Sequence, residues 1–170
     1  PLGNKINDLS SSFKDFISKP KIKGIACGQT KEVLNKTDDD FLNRKVLGVP
    51  FWLFDKKNGE FYRYNSITNY IFNRLDYYLL INKDSDLSYD LLVDNGYIKN
   101  SILYIDFISY SKNGEEISRK SWSKINLKTL DWYENANSYS FLGTCRYIKI
   151  PKNVKFVEAE KFADEKFSTY

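Results

Sequence analysis

With 170 residues, a mass of 20.0 kDa and 42% hydrophobic residues, the chain is long enough for one domain with a substantial core. Its 26 basic and 22 acidic residues leave a net charge of +4, which excludes a disordered polyelectrolyte and the dense positive charge of a dedicated duplex-DNA binder. There is no histidine, so serine–histidine and cysteine–histidine nucleophiles and histidine-bearing zinc sites are excluded, leaving any catalysis to carboxylates, lysine, arginine and tyrosine.

Pro1-Leu2-Gly3 reads as the remnant of a cleaved tag and is set aside. Residues 4–28 read as an N-terminal helix and a connector, and 29–170 as a single α+β domain. Ile6, Leu9, Phe13, Phe16 and Ile17 fall at helical spacing over 5–18, and Lys19-Pro20 ends the run. The stretch from Pro20 to Gly28 then connects. Ile25-Ala26-Cys27-Gly28 has the outline of a lipoprotein cleavage box, but basic residues precede it where an apolar signal is required. Thr30 and Thr37 are suited to N-caps. Asp38, Asp39 and Asp40 belong in a first helical turn, because adjacent helical side chains diverge by about 100° and do not converge on one metal ion.

Val46–Phe54 reads as a strand interrupted by Pro50, with a hairpin turn at Asn58-Gly59 and a returning strand over Glu60–Tyr64. Ile67, Tyr70, Ile71, Leu75, Tyr78 and Leu79 predict an amphipathic helix to Leu80, capped by Asn65 or Ser66. A loop over Asn82–Leu87 leads to a short helix from Ser88 that Asn95-Gly96 terminates. Ile102–Tyr110 and Ile117–Ile125 form a second hairpin around Asn113-Gly114. Leu127–Glu134 predicts one or two helical turns, Ser138–Ile150 a long strand, and Glu158–Phe167 a terminal helix. The fold expected is α+β, a mainly antiparallel sheet built from two β-hairpins with helices packed on one face. Its expected core comprises Phe54, Ile71, Leu75, Leu79, Ile105, Phe107, Phe141 and Ile148.

Cys27 and Cys145, 118 positions apart, match neither a metal pair nor a disulfide-dense framework, and read as separate buried thiols. No cofactor or metal is implied. Asp84-Ser85-Asp86 starts like a calcium loop, but Tyr89 and Asn95 stand where the glycine and the bidentate glutamate belong. Asp55-Lys56-Lys57 has nuclease-like spacing, but a hairpin turn explains the stretch in full, and no phosphate-binding glycine loop is present. Glu158-Ala159-Glu160 has the Glu-x-Glu form used by ADP-ribosyltransferases, but no early strand arginine accompanies it, and a charged helix explains it.

The candidate binding residues form a stripe. Strand alternation places Lys120, Trp122 and Lys124 on one face, and Arg146 on one face of the Ser138–Ile150 strand. A basic-aromatic sheet face can stack bases or anchor a protein partner. The expectation is a non-catalytic protein-binding or assembly module excised from a larger, bacterial protein, with another protein as partner and nucleic acid as the lesser reading. The alternative is a small histidine-free effector or toxin domain acting on RNA or NAD. No stretch approaches the roughly 20 apolar residues of a membrane-spanning helix.

Overall fold

Residues 22–28, read above as a connector, are buried from Gly24 onward, and a run buried at consecutive positions suits a strand covered on both faces. Ile22–Gly28 is indeed a strand, β1, in the interior of the sheet. The computed structural model describes residues 20–29, 31, 33, 35–83, 91–111, 115–136 and 138–162. The predicted helix over 5–18, Thr30, the Asp84–Ser88 loop, Asn113-Gly114 and the Leu79 side chain lie outside the described residues.

The helix α1 (Asp38–Leu42) follows, then β2 (Phe51–Asp55), β3 (Phe61–Asn65), β4 (Tyr70–Asn73), α2 (Arg74–Lys83) and β5 (Leu91–Lys99). The chain continues through β6 (Ile102–Tyr110), β7 (Glu116–Asn126), β8 (Asp131–Ala136), β9 (Tyr139–Ile148) and β10 (Lys155–Phe156). Among the described residues these strands form one ten-stranded sheet in the order β10-β4-β3-β2-β1-β9-β8-β7-β6-β5. It consists of two antiparallel meanders, β1–β4 and β5–β9, joined where β1 pairs with β9; only β10 runs parallel to its neighbour, β4.

The α+β expectation is therefore overturned. The described residues are mostly β, 52% strand against 14% helix, in one mixed sheet rather than two hairpins under a helical layer. Two predicted helices and the first half of a third proved to be strand or turn, for identifiable reasons. Asn65, expected as a helix cap, instead accepts from the Ile67 and Thr68 amides in the β3–β4 turn. The helix begins only at Arg74, where Asn73 accepts from the Asp76 amide. Asn95-Gly96 ends no helix but lies within β5. Leu127–Glu134 is a turn entering β8, in which Asn126 accepts from the Lys128 and Thr129 amides.

The sheet curls until its concave face encloses a core of Ile25, Phe54, Leu103, Ile105, Ile125 and Trp132, drawn from strands of both meanders. The curl brings the β2–β3 turn against β5, where the Ile98 amide donates to Asn58 O at 3.1 Å. Two glycines make that approach possible. A Cβ on Gly96 would lie 2.4 Å from Gly59 O, and one on Gly59 would lie 2.7 Å from the Tyr97 backbone. Gly59 alone of the predicted Asn-Gly pair takes a positive φ, 83°, at the end of a longer turn closed by the Gly59 amide on Asp55 O. The two-residue hairpin is instead Asn100-Ser101, both at positive φ, between β5 and β6.

On the convex face Ala26, Leu53, Ile71 and Ile148 pack under Val33, Phe41 and Leu42. Thr37 and Asp40 form a reciprocal capping box at the start of α1, as the acidic first turn predicted. At the rim α2 spans the two meanders: Tyr77 joins Phe72 and Phe162, while Leu75 and Tyr78 pack on Val93, Ile108 and Tyr110. Asp94 accepts from Trp52 Nε1 at 2.8 Å and from Arg74 at 3.0 Å, tying β5 to β2 and α2. Of the expected core, Phe54, Ile71, Ile105 and Ile148 are buried, while Leu75, Phe107 and Phe141 are partly buried against the core clusters.

The cysteines are not separate thiols. Cys27 and Cys145 face each other as register partners of β1 and β9, with Cα atoms 4.0 Å apart, and are joined by a disulfide. Their 118-residue separation disappears once the two meanders pair, which is why spacing alone did not reveal it.

Candidate binding face

Alternation along β7 sends Ser123 and Ile125 into the interior, both fully buried, and turns Trp122 and Lys124 to the convex face. The strands on either side continue the pattern in register. Tyr97 of β5 pairs with Tyr104 of β6, Tyr104 with Lys124 of β7, Lys124 with Tyr133 of β8, and Tyr133 with Leu142 of β9. At a strand spacing of about 4.8 Å, this row of five side chains runs roughly 19 Å across the sheet.

The row is internally stacked. The Tyr97 and Tyr104 rings lie 5.0 Å apart and nearly parallel, and Trp122 packs on Tyr133 at 5.4 Å. Lys124 Nζ sits 5.0 Å from the centre of the Trp122 ring, a cation–π contact that keeps the ammonium on the face. The ends of the row are open, with Tyr97 44% and Leu142 75% exposed, while Trp122 and Tyr133 are half-buried. The adjoining row carries Asn95, Asp106, Trp122, Asn135 and Ser140 in register, so the patch is aromatic at its centre and polar beside it.

The four residues nominated from sequence separate. Trp122 and Lys124 lie together on this face. Lys120 does not extend the alternation, because the β6–β7 register passes from Phe107↔Ser121 to Ile108↔Arg119 and skips it as the extra residue of a bulge. The Lys120 side chain lies outside the described residues.

Arg146 is committed elsewhere. It shares the convex face with Ile148, yet its guanidinium donates to Val33 O, Lys36 O and Asp38, clipping the segment before α1 onto β9. Burial would raise the Asp38 carboxyl pKa, but the Lys149 amide and Arg146 outweigh it and hold it below the usual 3.8. A carboxyl depressed in the folded state stabilises above its unfolded pKa and loses that contribution as pH falls through the folded value. Asp38→Asn is therefore expected to lower the urea midpoint at about pH 6, with the difference from wild type closing as pH falls below 3.8 and through the depressed folded value. A deficit that persists unchanged at low pH would assign the effect to packing.

The other sequence candidates serve the fold. Asp55 accepts from the Lys21 and Lys57 amides and is buried at the hairpin turn. No cluster of metal-ligating side chains occurs among the described residues. Glu134 accepts from Ser123 and Tyr139 hydroxyls, each at 3.2 Å, beside a shallow recess of about 330 Å³ lined by Trp132, Tyr139 and Phe141. The Glu134 charge and the hydrogen bond it accepts raise the Tyr139 pKa above the ordinary phenol value and so keep that hydroxyl protonated.

Tyr97, Tyr104, Tyr133 and Leu142 were not singled out from sequence. Tyr97 and Tyr133 belong to strands masked by a helix-stop reading of Asn95-Gly96 and a helical reading of 127–134. The detectable signal was in Leu103–Ile105, where a tyrosine alternates between two aliphatic residues destined for the core. Compared with known protein families, curated proteins and solved structures, the chain matches none of them.

Proposed function

We propose that this protein is a non-catalytic binding module that presents the convex face of β5–β9 to a protein partner. The observation that supports it is the cross-strand row Tyr97–Tyr104–Lys124–Tyr133–Leu142 with Trp122 stacked on Tyr133, an aromatic surface with open ends. Tyr and Trp are the residues that most often anchor protein interfaces, in a setting from which charge is largely depleted. Strand-borne rings also lose little conformational freedom on binding, because their neighbours already hold them.

A single-strand nucleic-acid surface needs a basic track beside its stacking rings. Here the described charges on the two rows are Lys124 and Asp106, and Arg146 is held by Asp38. The protein reading is favoured for that reason. Among the described residues, no helix is long and apolar enough to cross a membrane.

The test is selection of peptides from a displayed library against the immobilised protein, followed by amide-shift mapping. Selected peptides should perturb Tyr97, Tyr104, Trp122, Lys124 and Tyr133, and Trp122→Ala should weaken them by about 2 kcal/mol, roughly 30-fold, with the melting temperature little changed. Peptides that map elsewhere would sink the assignment. So would tight binding of single-stranded oligonucleotides to this face with a steep loss of affinity on adding salt.

A further inference from the structure

On the opposite meander, a cavity of about 290 Å³ lies between the segment after α1 and strands β2 and β3, with Arg44, Arg63 and Arg74 in its lining. Its remaining walls are apolar or aromatic, including Phe41, Phe51, Leu53, Tyr62 and Tyr64, and none of its lining residues is acidic. Two tyrosines of α2 hold the guanidinium groups in place. Arg63 stacks over Tyr77 at 5.1 Å; Arg74 stacks over Tyr78 at 5.1 Å and also donates to its hydroxyl at 3.0 Å. Partial burial together with the charges of Arg63 and Arg74 pulls the Arg44 pKa below the usual arginine value.

Gathering three cations costs energy unless something answers them. Asp94 pairs with Arg74, but no carboxylate pairs with Arg44 or Arg63 among the described residues. Arg44 also sits just past the end of α1 at φ 55°, a left-handed position where glycine is the usual choice and a side chain is strained. The sequence accepts both costs at one cavity.

We propose that this cavity is a binding site for a small phosphate monoester carrying an apolar or aromatic group. Two guanidinium groups with no carboxylate partner among the described residues match the charge of a phosphate monoester, about −1.5 to −2 at neutral pH. The planar fork of arginine engages such oxygens bidentately, and the aromatic walls receive the remainder of the molecule. The volume is at the small end of the roughly 300–1,000 Å³ range of ligand pockets, which suits a compact ligand and not a dinucleotide.

The experiment is calorimetric titration of the intact protein with phenyl phosphate, inorganic phosphate and benzoate, read alongside amide shifts. Phenyl phosphate should bind saturably with shifts around Arg44, Tyr62 and Arg63, and the other two should bind more weakly. Arg44→Gln lies in an exposed segment; it should weaken phenyl phosphate about tenfold or more while the melting temperature holds. Because Arg63 also braces α2, Arg63→Lys is the second variant: it keeps the charge, removes the fork, and should likewise weaken binding. Absence of saturable binding, or affinity indifferent to Arg44→Gln, overturns the site. Benzoate binding as tightly as phenyl phosphate overturns the dianion match, and inorganic phosphate doing so overturns the apolar half of the ligand.

Discussion

Removing the Cys27–Cys145 bond by Cys27→Ala with Cys145→Ala should destabilise the protein by about 2–5 kcal/mol, read as a lower urea midpoint. The crosslink closes a loop of 118 positions, and the entropy removed from an unfolded chain grows with loop length. Both sulfurs are buried between β1 and β9, so reductant gains access when the strands separate. Thiol titration of the unreduced, denatured protein should find no free groups. Two titrating thiols in a clean monomer, or a double variant within about 0.5 kcal/mol of wild type, would contradict the pairing. Such bonds persist in oxidising compartments, so stability should differ measurably between oxidising and reducing buffers.

The second large effect is expected at Asp94. Asp94→Ala strands two donors at the rim, the Trp52 indole N–H and the Arg74 guanidinium. Losing the partner of a fully buried charge typically costs about 3–5 kcal/mol; with the Arg74 and Asp94 side chains 21% and 19% exposed, water recovers part of that, and about 2–3 kcal/mol is expected. Asp94→Asn keeps an acceptor for Trp52 and gives up the charge, so it should cost about half as much. Equal losses for the two variants would show that the indole hydrogen bond contributes nothing, and no loss for Asp94→Ala would remove the tie altogether.

Local signals were readable where one face of an element meets water. The acidic turn of α1, strand β9 and the paired strands on either side of the first Asn-Gly turn followed from alternation and capping chemistry. Misreadings arose where long-range packing decides. Gly96 looks like a helix stop because glycine usually serves backbone freedom, yet here it clears space for Gly59 O from a turn 37 positions earlier. β1, buried at every position from Gly24 to Gly28, shows no alternation there and, with two lysines and two glycines nearby, resembles a linker. Ile67 and Ile71 are helically spaced, but Ile67 is 94% exposed in a turn while Ile71 is buried in β4. Half of the candidate stripe was legible: Trp122 and Lys124 alternate with core residues, whereas the bulge at Lys120 and the capture of Arg146 by Asp38 depend on neighbouring strands.

The antiparallel pairing of β1 with β9 also fixes how the domain carries load. Gly24 opposes Ile148 and Cys27 opposes Cys145, so tension entering at residue 20 and leaving at residue 150 peels the two strands apart from that end. Peeling stops after the rungs of Gly24, Ile25 and Ala26, at a covalent bond. Force then passes from Cys27 straight to Cys145 and bypasses every residue between them. The stacked face from Tyr97 to Leu142 lies wholly inside that bypass, and a pull along these two strands leaves it under no tension.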